Sequence, residues 1–226
     1  MKDVLFNPVF HALSSGDKHL GSGSDTVKFS DAEVSPLVGF ADDHIIGFHD
    51  LLELLPPERR ILYATPRLID EPAGWSVKAE VRGLQFIYPA DKAPVRPSMN
   101  PVKLDSTHID EMIALTALTK PGPFDRRTIE FGSYHGFFEN GKLVSMTGQR
   151  MHVYGNTEIS AVCTHPDHLG KGYAAALLLH QLHIILDQKQ QPFLHVRADN
   201  QRAIDLYERL GFCVNREMNF YFMKRK

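Results

Sequence analysis

The sequence has little cysteine, no long apolar run and no excess of either charge. Only two cysteines, Cys163 and Cys213, occur among 226 residues, which excludes a disulfide framework and favours a reducing compartment. No stretch approaches the ~18 apolar residues of a membrane span, and the N-terminus has no apolar core of signal-peptide length. We therefore expect a cytoplasmic protein with no membrane association.

The net charge of the chain bears on whether it binds nucleic acid. The formal net charge is −2, which argues against a dedicated nucleic-acid-binding protein, although a local basic patch stays open. A hydrophobic content of 43% with 23% charged residues is typical of a globular protein rather than a disordered one. The length suits one large domain or two small ones.

Proline density marks the predicted division of the chain. Four prolines fall within thirteen residues: Pro89, Pro94, Pro97 and Pro101. Because such density favours an extended connection, we predict a smaller N-terminal α/β domain over residues 1–100 and a second domain over residues 101–226. No chemical motif stands out in the first of these.

The second unit mixes strands and helices, which predicts an α+β fold with a mostly antiparallel sheet flanked by helices. Asn140-Gly141 is a strong hairpin signal between two strands. The further predicted elements are a strand over 158–164, a long helix after Gly172, a strand over 192–198, a helix from Asn200 to Gly211, and a final hairpin of 212–215 with 219–223.

The stretch from Glu158 to Ala176 reads as a strand, a tight glycine turn and the start of a helix. Pro166 ends the strand because it has no N–H to donate. Gly170 and Gly172 allow positive φ or close backbone approach. A helix that begins in such a turn presents unpaired N–H groups and the positive end of its dipole, which is a site for phosphate or pyrophosphate.

Two segments in this order resemble the GNAT superfamily of acetyl-CoA-dependent N-acyltransferases. The first is HPDHLGKGYA over residues 165–174, which is similar to the pyrophosphate motif of the family. The second is ADNQRAIDLYERLGF over residues 198–212, which is similar to its N-x-x-A-x-x-L-Y-x-x-x-G-F segment. The family usually has Arg or Gln at the position of Leu169 in this chain. This difference removes one expected side-chain contact to the phosphates but leaves the backbone N–H groups that mainly hold them.

The resemblance covers roughly residues 102–226 and implies a GNAT fold. In length and position the N-terminal unit resembles the degenerate GNAT-like half of glycine-N-acyltransferase-like proteins. The implied cosubstrate is acetyl-CoA, and the residues implied to bind it follow: Val162, Cys163, Thr164, Leu169, Gly170, Lys171, Gly172, Tyr173, Ala174 and Asn200. Among these, an N–H of Val162 or Cys163 would polarise the thioester carbonyl. Asn200 would contact the pantetheine arm, and its alternative is a plain helix N-cap.

The resemblance also implies two catalytic residues. Tyr207 matches the general acid that protonates the leaving thiolate; its alternative is an amphipathic core tyrosine. Glu158 is the candidate general base, acting through a water; its alternative is an exposed glutamate at the end of a strand. Period-two alternation predicts that Glu158, Ser160, Val162 and Thr164 share one face of the strand. Glu130 is a lesser rival for the base, and the absence of any side-chain base stays open.

Other reactive patterns carry less weight. Cys163 lies in mid-strand without a paired base, so a buried inert thiol is favoured over a nucleophile. The pairs His165/His168 and His180/His183 have metal-like spacing but no further ligands, so no metal site is predicted.

The sequence thus predicts an N-acetyltransferase that acts directly on a primary amine of a small molecule or amino acid. The alternatives are a protein N-acetyltransferase and a non-catalytic acyl-CoA-binding module. Homodimer formation stays open.

Overall fold

The helices form where apolar residues recur at helical spacing between turn signals. A computed structural model describes residues 3–89, 93–97 and 99–226. Its α-helices are α1 (Pro8–Leu13), α2 (Gly47–Leu54), α3 (Ile109–Thr119), α4 (Tyr173–Asp187) and α5 (Gln201–Leu210). Short 3-10 turns lie at Val4–Phe6, Lys18–Leu20, Ser106–His108, Thr128–Phe131 and Pro166–His168.

The strands of the described residues join into one mixed, mostly antiparallel sheet. They are β1 (Gly21–Gly23), β2 (Val27–Ser30), β3 (Leu37–Phe40), β4 (Arg60–Thr65), β5 (Trp75–Ile87), β6 (Val102–Lys103), β7 (His135–Glu139), β8 (Lys142–Val153), β9 (Asn156–Thr164), β10 (Gln191–Arg197) and β11 (Cys213–Arg225). Their order is β1-β2-β3-β4-β11-β5-β10-β9-β8-β7-β6. Only β3–β4 and β9–β10 pair in parallel within the described residues. The predicted fold class is confirmed.

The predicted final hairpin is wrong, because residues 213–225 form the single strand β11. A bulge between Val214 and Arg216 absorbs the irregular stretch without turning the chain. The strand stays extended because it has partners on both sides: β5 pairs along nearly all of its length and β4 pairs with its second half.

The two predicted units share this sheet. The last strand of the chain, β11, lies between β4 and β5 of the N-terminal unit, and β5 pairs with β10 of the second unit. A hydrogen bond joins them further: His152 Nδ1 lies 2.7 Å from a buried Asp17 carboxylate oxygen. The predicted boundary stretch 90–101 falls partly on residues 90–92 and 98, which lie outside the described residues, and the boundary itself stays a prediction.

Helices cover both faces of the sheet. On one face α4 and α5 bury an apolar cluster that includes Ile159 and Leu194. On the other face α1 packs on a cluster that includes Met151 and Phe193, and α3 contacts β8 and β9. Successive residues of a strand point to opposite faces, so the alternation of β9 and β10 decides which side chains meet which helices.

Candidate active site

Strands β9 and β10 separate in the middle of the sheet. Their parallel pairing ends at Glu158 and Phe193, although both strands continue beyond this point. A cavity of about 940 Å³ lies where they diverge, lined by residues of both strands. Its volume is in the range typical of small-molecule sites. The separation of the two strands therefore provides an opening in the sheet that a ligand can enter.

A β-bulge shapes β9 beside this opening. Ser160 lies opposite Gly148, whereas Cys163 lies opposite Met146, so two residues of β9 face one residue of β8. Ala161, one of the two β9 residues in the bulge, has φ of 52°, which is unusual for a residue with a Cβ. Bulges of this kind re-aim side chains and leave part of the ladder unpaired.

The bulge reverses the alternation that the sequence predicts. Val162 packs against the same cluster as Ile159, on the face covered by α4 and α5. Glu158 precedes Ile159 and therefore points to the other face. The prediction that Glu158 and Val162 share a face is wrong, since the extra residue at the bulge shifts the period by one.

The glycine loop before α4 has the predicted geometry. Gly170 and Gly172 have φ of 80° and 83°, and α4 begins at Tyr173 without a side-chain cap. Within the described residues the N–H groups of 170–175 have no hydrogen-bond partner, whereas the N–H of Leu169 donates to Pro166 O at 3.3 Å. The loop therefore presents a set of free donors at the positive end of a helix, to which Leu169 contributes less than predicted.

Glu139, which sequence reasoning missed, organises the side chains of this loop. Lys171 Nζ donates to its carboxylate oxygens at 2.7 and 2.9 Å, Tyr173 donates its hydroxyl proton, and His168 Nδ1 lies 3.1 Å away. The hydrogen bond from Lys171, followed by that from Tyr173, lowers the pKa of Glu139 to about 2. The predicted positive charge of Lys171 is thus present but is paired with a carboxylate.

Tyr207 lies on α5 with its side chain in the wall of the cavity. It is 6% exposed, and burial raises its pKa well above the ordinary value. No residue that the structure describes hydrogen-bonds to its hydroxyl. Asn200, also in the cavity wall, caps α5 by accepting from the Ala203 N–H at 3.3 Å. This cap explains why α5 begins at Gln201. It uses the side-chain oxygen of Asn200 and does not involve the side-chain nitrogen.

Glu158 has a different setting from Tyr207. It is 1% exposed, and Arg150 donates to both of its oxygens, from Nε at 2.6 Å and Nη2 at 2.8 Å. Burial alone would raise the pKa of Glu158, but the Arg150 charge and hydrogen bonds outweigh it and lower the pKa to about 2. His195 Nδ1 lies 2.7 Å from Oε1. Glu158 is therefore neither an exposed strand-end residue nor a free carboxylate.

The Glu158 pair is part of a longer polar chain. Since the Glu158 carboxylate only accepts, His195 Nδ1 is the donor, and its Nε2 accepts from Gln85 Nε2 at 3.0 Å. The same Gln85 nitrogen donates to Leu5 O at 2.9 Å. The chain crosses four adjacent strands, with Arg150 on β8, Glu158 on β9, His195 on β10 and Gln85 on β5. Arg150 and His195 line the cavity, whereas Glu158 lies behind them.

Sequence reasoning missed Arg150, His195 and Gln85 because their proximity depends on strand register. The signal that could have found them is the pairing of polar residues on strands that are otherwise apolar: Arg150 lies directly opposite Glu158, and His195 directly opposite Gln85. Neither pairing can be read without the order of the strands.

Of the remaining candidates, three line the cavity and Glu130 does not. Val162, Cys163 and Thr164 line the cavity beside the bulge. Cys163 is buried, and burial raises the pKa of its thiol to about 11, so it is protonated at neutral pH. Glu130 forms a two-bond ion pair with Arg127, at 2.7 and 2.8 Å, away from the cavity wall.

In the part of the chain that the structure describes, no group of three or more His, Cys, Asp or Glu side chains is placed to hold a metal ion. No helix in that part is long and apolar enough to span a membrane.

Comparisons with known proteins agree on one family. The sequence model of the FR47-like protein family matches residues 134–221. A crystal structure from Novosphingobium aromaticivorans, assigned to the GNAT family as an acetyltransferase, is 31% identical in sequence with a TM-score of 0.89, and the match covers 98% of each chain. A search of curated protein sequences returns no match.

More distant structures share the fold. An acetyltransferase of the GNAT family from Colwellia psychrerythraea is 13% identical, with a TM-score of 0.55 over 90% of this chain and 84% of that one. A GCN5-related N-acetyltransferase from Sphaerobacter thermophilus is 16% identical, also with a TM-score of 0.55, over 88% and 76%. At this identity the likeness concerns the fold alone.

Proposed function

Since the chain belongs to the GNAT family of acetyltransferases, we propose that it transfers an acetyl group from acetyl-CoA directly to a primary amine of a small molecule or amino acid. One observation carries this proposal: the glycine loop, the bulged strand β9 and Tyr207 line a single cavity. A thioester-dependent transfer needs an anchor for the phosphates, a donor to the carbonyl oxygen and a proton for the leaving sulfur.

The glycine loop fits the pyrophosphate of acetyl-CoA. The free N–H groups of 170–175 converge at the positive end of α4, which is a favourable place for an anion. A Cβ built on Gly170 would have no atom within 4 Å, so the loop is open on that side. When bound, acetyl-CoA supplies the activated acetyl group, and Lys171, whose charge is paired with Glu139, lies in the same loop.

The bulge supports polarisation of the thioester carbonyl. At this step two residues of β9 face one residue of β8, so backbone groups near Val162 and Cys163 are released from the regular ladder. An N–H of Val162 or Cys163 aimed at the carbonyl oxygen would stabilise the charge that develops there. The edge of β9 along Val162 to Thr164 would pair with the pantetheine arm as an added strand does.

Tyr207 is suited to protonate the departing thiolate. Burial raises its pKa, so the phenol keeps its proton at neutral pH, and within the described residues no protein group competes for its hydroxyl. A general acid contributes about 10²–10⁴-fold when it is positioned at the reacting atom. We propose this role for Tyr207.

The amine must reach the thioester without its extra proton, because an ammonium has no lone pair. Glu158 as the general base stays a prediction, and its contacts weigh against direct abstraction: both oxygens are bonded to Arg150, and Oε1 also to His195. A carboxylate with a pKa of about 2 is a weak base. We propose instead that Glu158 positions Arg150 and His195 in the cavity wall.

The test is acetyl transfer with purified protein, acetyl-CoA and a panel of primary amines, read as free CoA thiol. We expect CoA release that depends on the amine, together with an acetylated product. Tight acetyl-CoA binding without amine-dependent release would favour the non-catalytic module instead. Trapping an acetylated Cys163 during turnover would contradict direct transfer.

Several finer assignments stay predictions. They are the glycine-N-acyltransferase-like branch, the degenerate GNAT-like character of residues 1–100, the choice of a small amine over a protein acceptor, cytoplasmic localisation and homodimer formation. Each is open to its own test, and none is needed for the transfer chemistry.

A further inference from the structure

A second cleft opens beside the main cavity. Its volume is about 800 Å³, and it shares Pro123 and Phe222 with the main cavity. The shared residues come from two different elements, one from the loop after α3 and the other from β11. The two spaces are therefore adjacent compartments, and a ligand that enters one can extend into the other.

The sheet provides a continuous floor to both compartments. On β11, Phe220 lies opposite Ala64 of β4 and Phe222 lies opposite Leu62, and all four line the main cavity. Because alternate residues of a strand share a face, the next position outward on this floor is Lys224. Its partner on β4 is Arg60, and both line the second cleft. The floor thus changes from apolar to cationic as it leaves the reaction site.

Three exposed cations line the second cleft without a salt bridge. Within the described residues Arg60, Lys78 and Lys224 form no ion pair, although Lys78 acts electrostatically on Glu71. Arg60 and Lys224 lie directly opposite each other on antiparallel strands, an arrangement that like charges make unfavourable. A bound anion would offset this repulsion.

Arg59 adds a fixed positive charge to the cleft. Its Nη2 donates to Ser30 O at 2.8 Å and to Ser35 O at 2.9 Å, so the guanidinium is held against the wall. The one carboxylate among the lining residues that the structure describes is Asp125, whose Oδ1 accepts from the Arg126 N–H at 2.7 Å. Positive charge therefore exceeds negative charge in this cleft.

We propose that the second cleft binds the anionic end of the acyl acceptor, which is an amine joined through an apolar segment to a carboxylate or phosphate. The inference rests on the proposed function, since it places the amine in the main cavity. From Phe220 to Lys224 the strand rises about 13 Å at ~3.3 Å per residue. The acceptor is accordingly an elongated molecule, apolar in the middle and charged at its far end.

The test compares the binding of 8-aminooctanoate and octylamine to the CoA-saturated protein by calorimetry. These probes share the amine and the apolar chain, and only the first carries an anion. We expect 8-aminooctanoate to bind at least about tenfold more tightly at low salt, because hydrogen bonds to charged groups are the stronger ones. The preference should shrink as ionic strength rises. Aminooctyl phosphate in a third arm distinguishes the phosphate source from the carboxylate source.

The variant arm uses Arg60→Gln combined with Lys224→Gln. We expect this double variant to bind both probes alike. Lys103→Gln combined with Lys142→Gln, on strands β6 and β8 away from both cavities, should keep the preference. Equal binding of the probes to the unaltered protein, or a preference that survives in the first double variant, would overturn the inference. Because binding is read without turnover, a protein that binds the probes as expected but acetylates no amine would count against the proposed function alone.

Discussion

Tyr207 and Glu158 lie on opposite faces of the same sheet, and their surroundings differ in the features that govern proton transfer. Tyr207 lines the cavity, and none of the described residues forms a hydrogen bond with its hydroxyl. Glu158 lies behind the cavity wall with both oxygens bonded to Arg150. The comparison indicates that a residue type suited to catalysis acts directly only where its reactive atom is both accessible and uncommitted.

The faces also differ in origin. The Tyr207 face is built from α4 and α5, which follow one another closely in the sequence. The Glu158 face joins β8, β9 and β10 to β5 and to Leu5 at the N-terminus. The chemistry of the first face is local in sequence, whereas that of the second depends on the whole fold.

The largest expected effect is a loss of stability in Glu158→Gln. It distinguishes a Glu158 that positions Arg150 from a Glu158 that acts as the general base. The variant leaves the Arg150 charge buried without its partner, which costs about 3–5 kcal/mol in such pairs. Urea unfolding at neutral pH measures it. In the double variant Glu158→Gln with Arg150→Gln the loss should be smaller, because neither charge remains. An unchanged unfolding midpoint with a lower kcat would instead return Glu158 to the role of base.

The same pair predicts a pH dependence of stability. The pKa of Glu158 is lowered from 4.5 to about 2 in the folded state, so its contribution is present above pH 4.5 and is lost as the pH falls towards 2. This lowering corresponds to roughly 3 kcal/mol. Acid unfolding of the unaltered protein should show this loss, and Glu158→Gln should lack that part of it.

The next effect is catalytic and belongs to Tyr207. We expect Tyr207→Phe to lower kcat by about 10²-fold, with little change in acetyl-CoA affinity, because the ring still fills the same space. Steady-state kinetics and calorimetry measure the two quantities. Tyr88→Phe is the matched control, since Tyr88 is buried in the same apolar cluster but does not line the cavity. If kcat of Tyr207→Phe stays unchanged across the pH range, Tyr207 has no part in the mechanism.

The smallest effect concerns the loop that would hold acetyl-CoA on the Tyr207 face. Gly170→Ala places a Cβ at φ of 80°, which costs about 1 kcal/mol. We expect the empty loop of the variant to relax away from this conformation, so that binding must restore it at a cost of about fivefold in affinity. Gly141→Ala is the control, because Gly141 has φ of 75° and equally open space but lies in a hairpin away from the cavity. Calorimetry should show weaker acetyl-CoA binding only for Gly170→Ala. Equal affinity in both variants would mean that the loop conformation does not matter for binding.

The parts of the site that were predictable are those encoded in short segments. The glycine loop, the start of α4 at Tyr173 and the cap of α5 at Asn200 each depend on neighbouring residues. In these places local propensity and the fold agree.

The parts that were missed depend on register over long separations. The bulge at Ala161 moves the side chains that follow it on β9 to the opposite faces of the sheet. A one-residue shift of this kind cannot be recognised from the spacing of apolar residues in the sequence. The chain from Arg150 through Glu158 to His195 requires three strands in the right order. The continuity of β11 was missed because its two partner strands come from the other half of the chain.

A crystal structure with bound CoA and an amine tests the contrast between the two faces most directly. We expect the sulfur within hydrogen-bonding distance of the Tyr207 hydroxyl, the pyrophosphate on the N–H groups of 170–175, and Glu158 still bonded to Arg150 and His195. A Glu158 carboxylate released from Arg150 and linked to the amine through water, with the Tyr207 hydroxyl turned away from the sulfur, would contradict it.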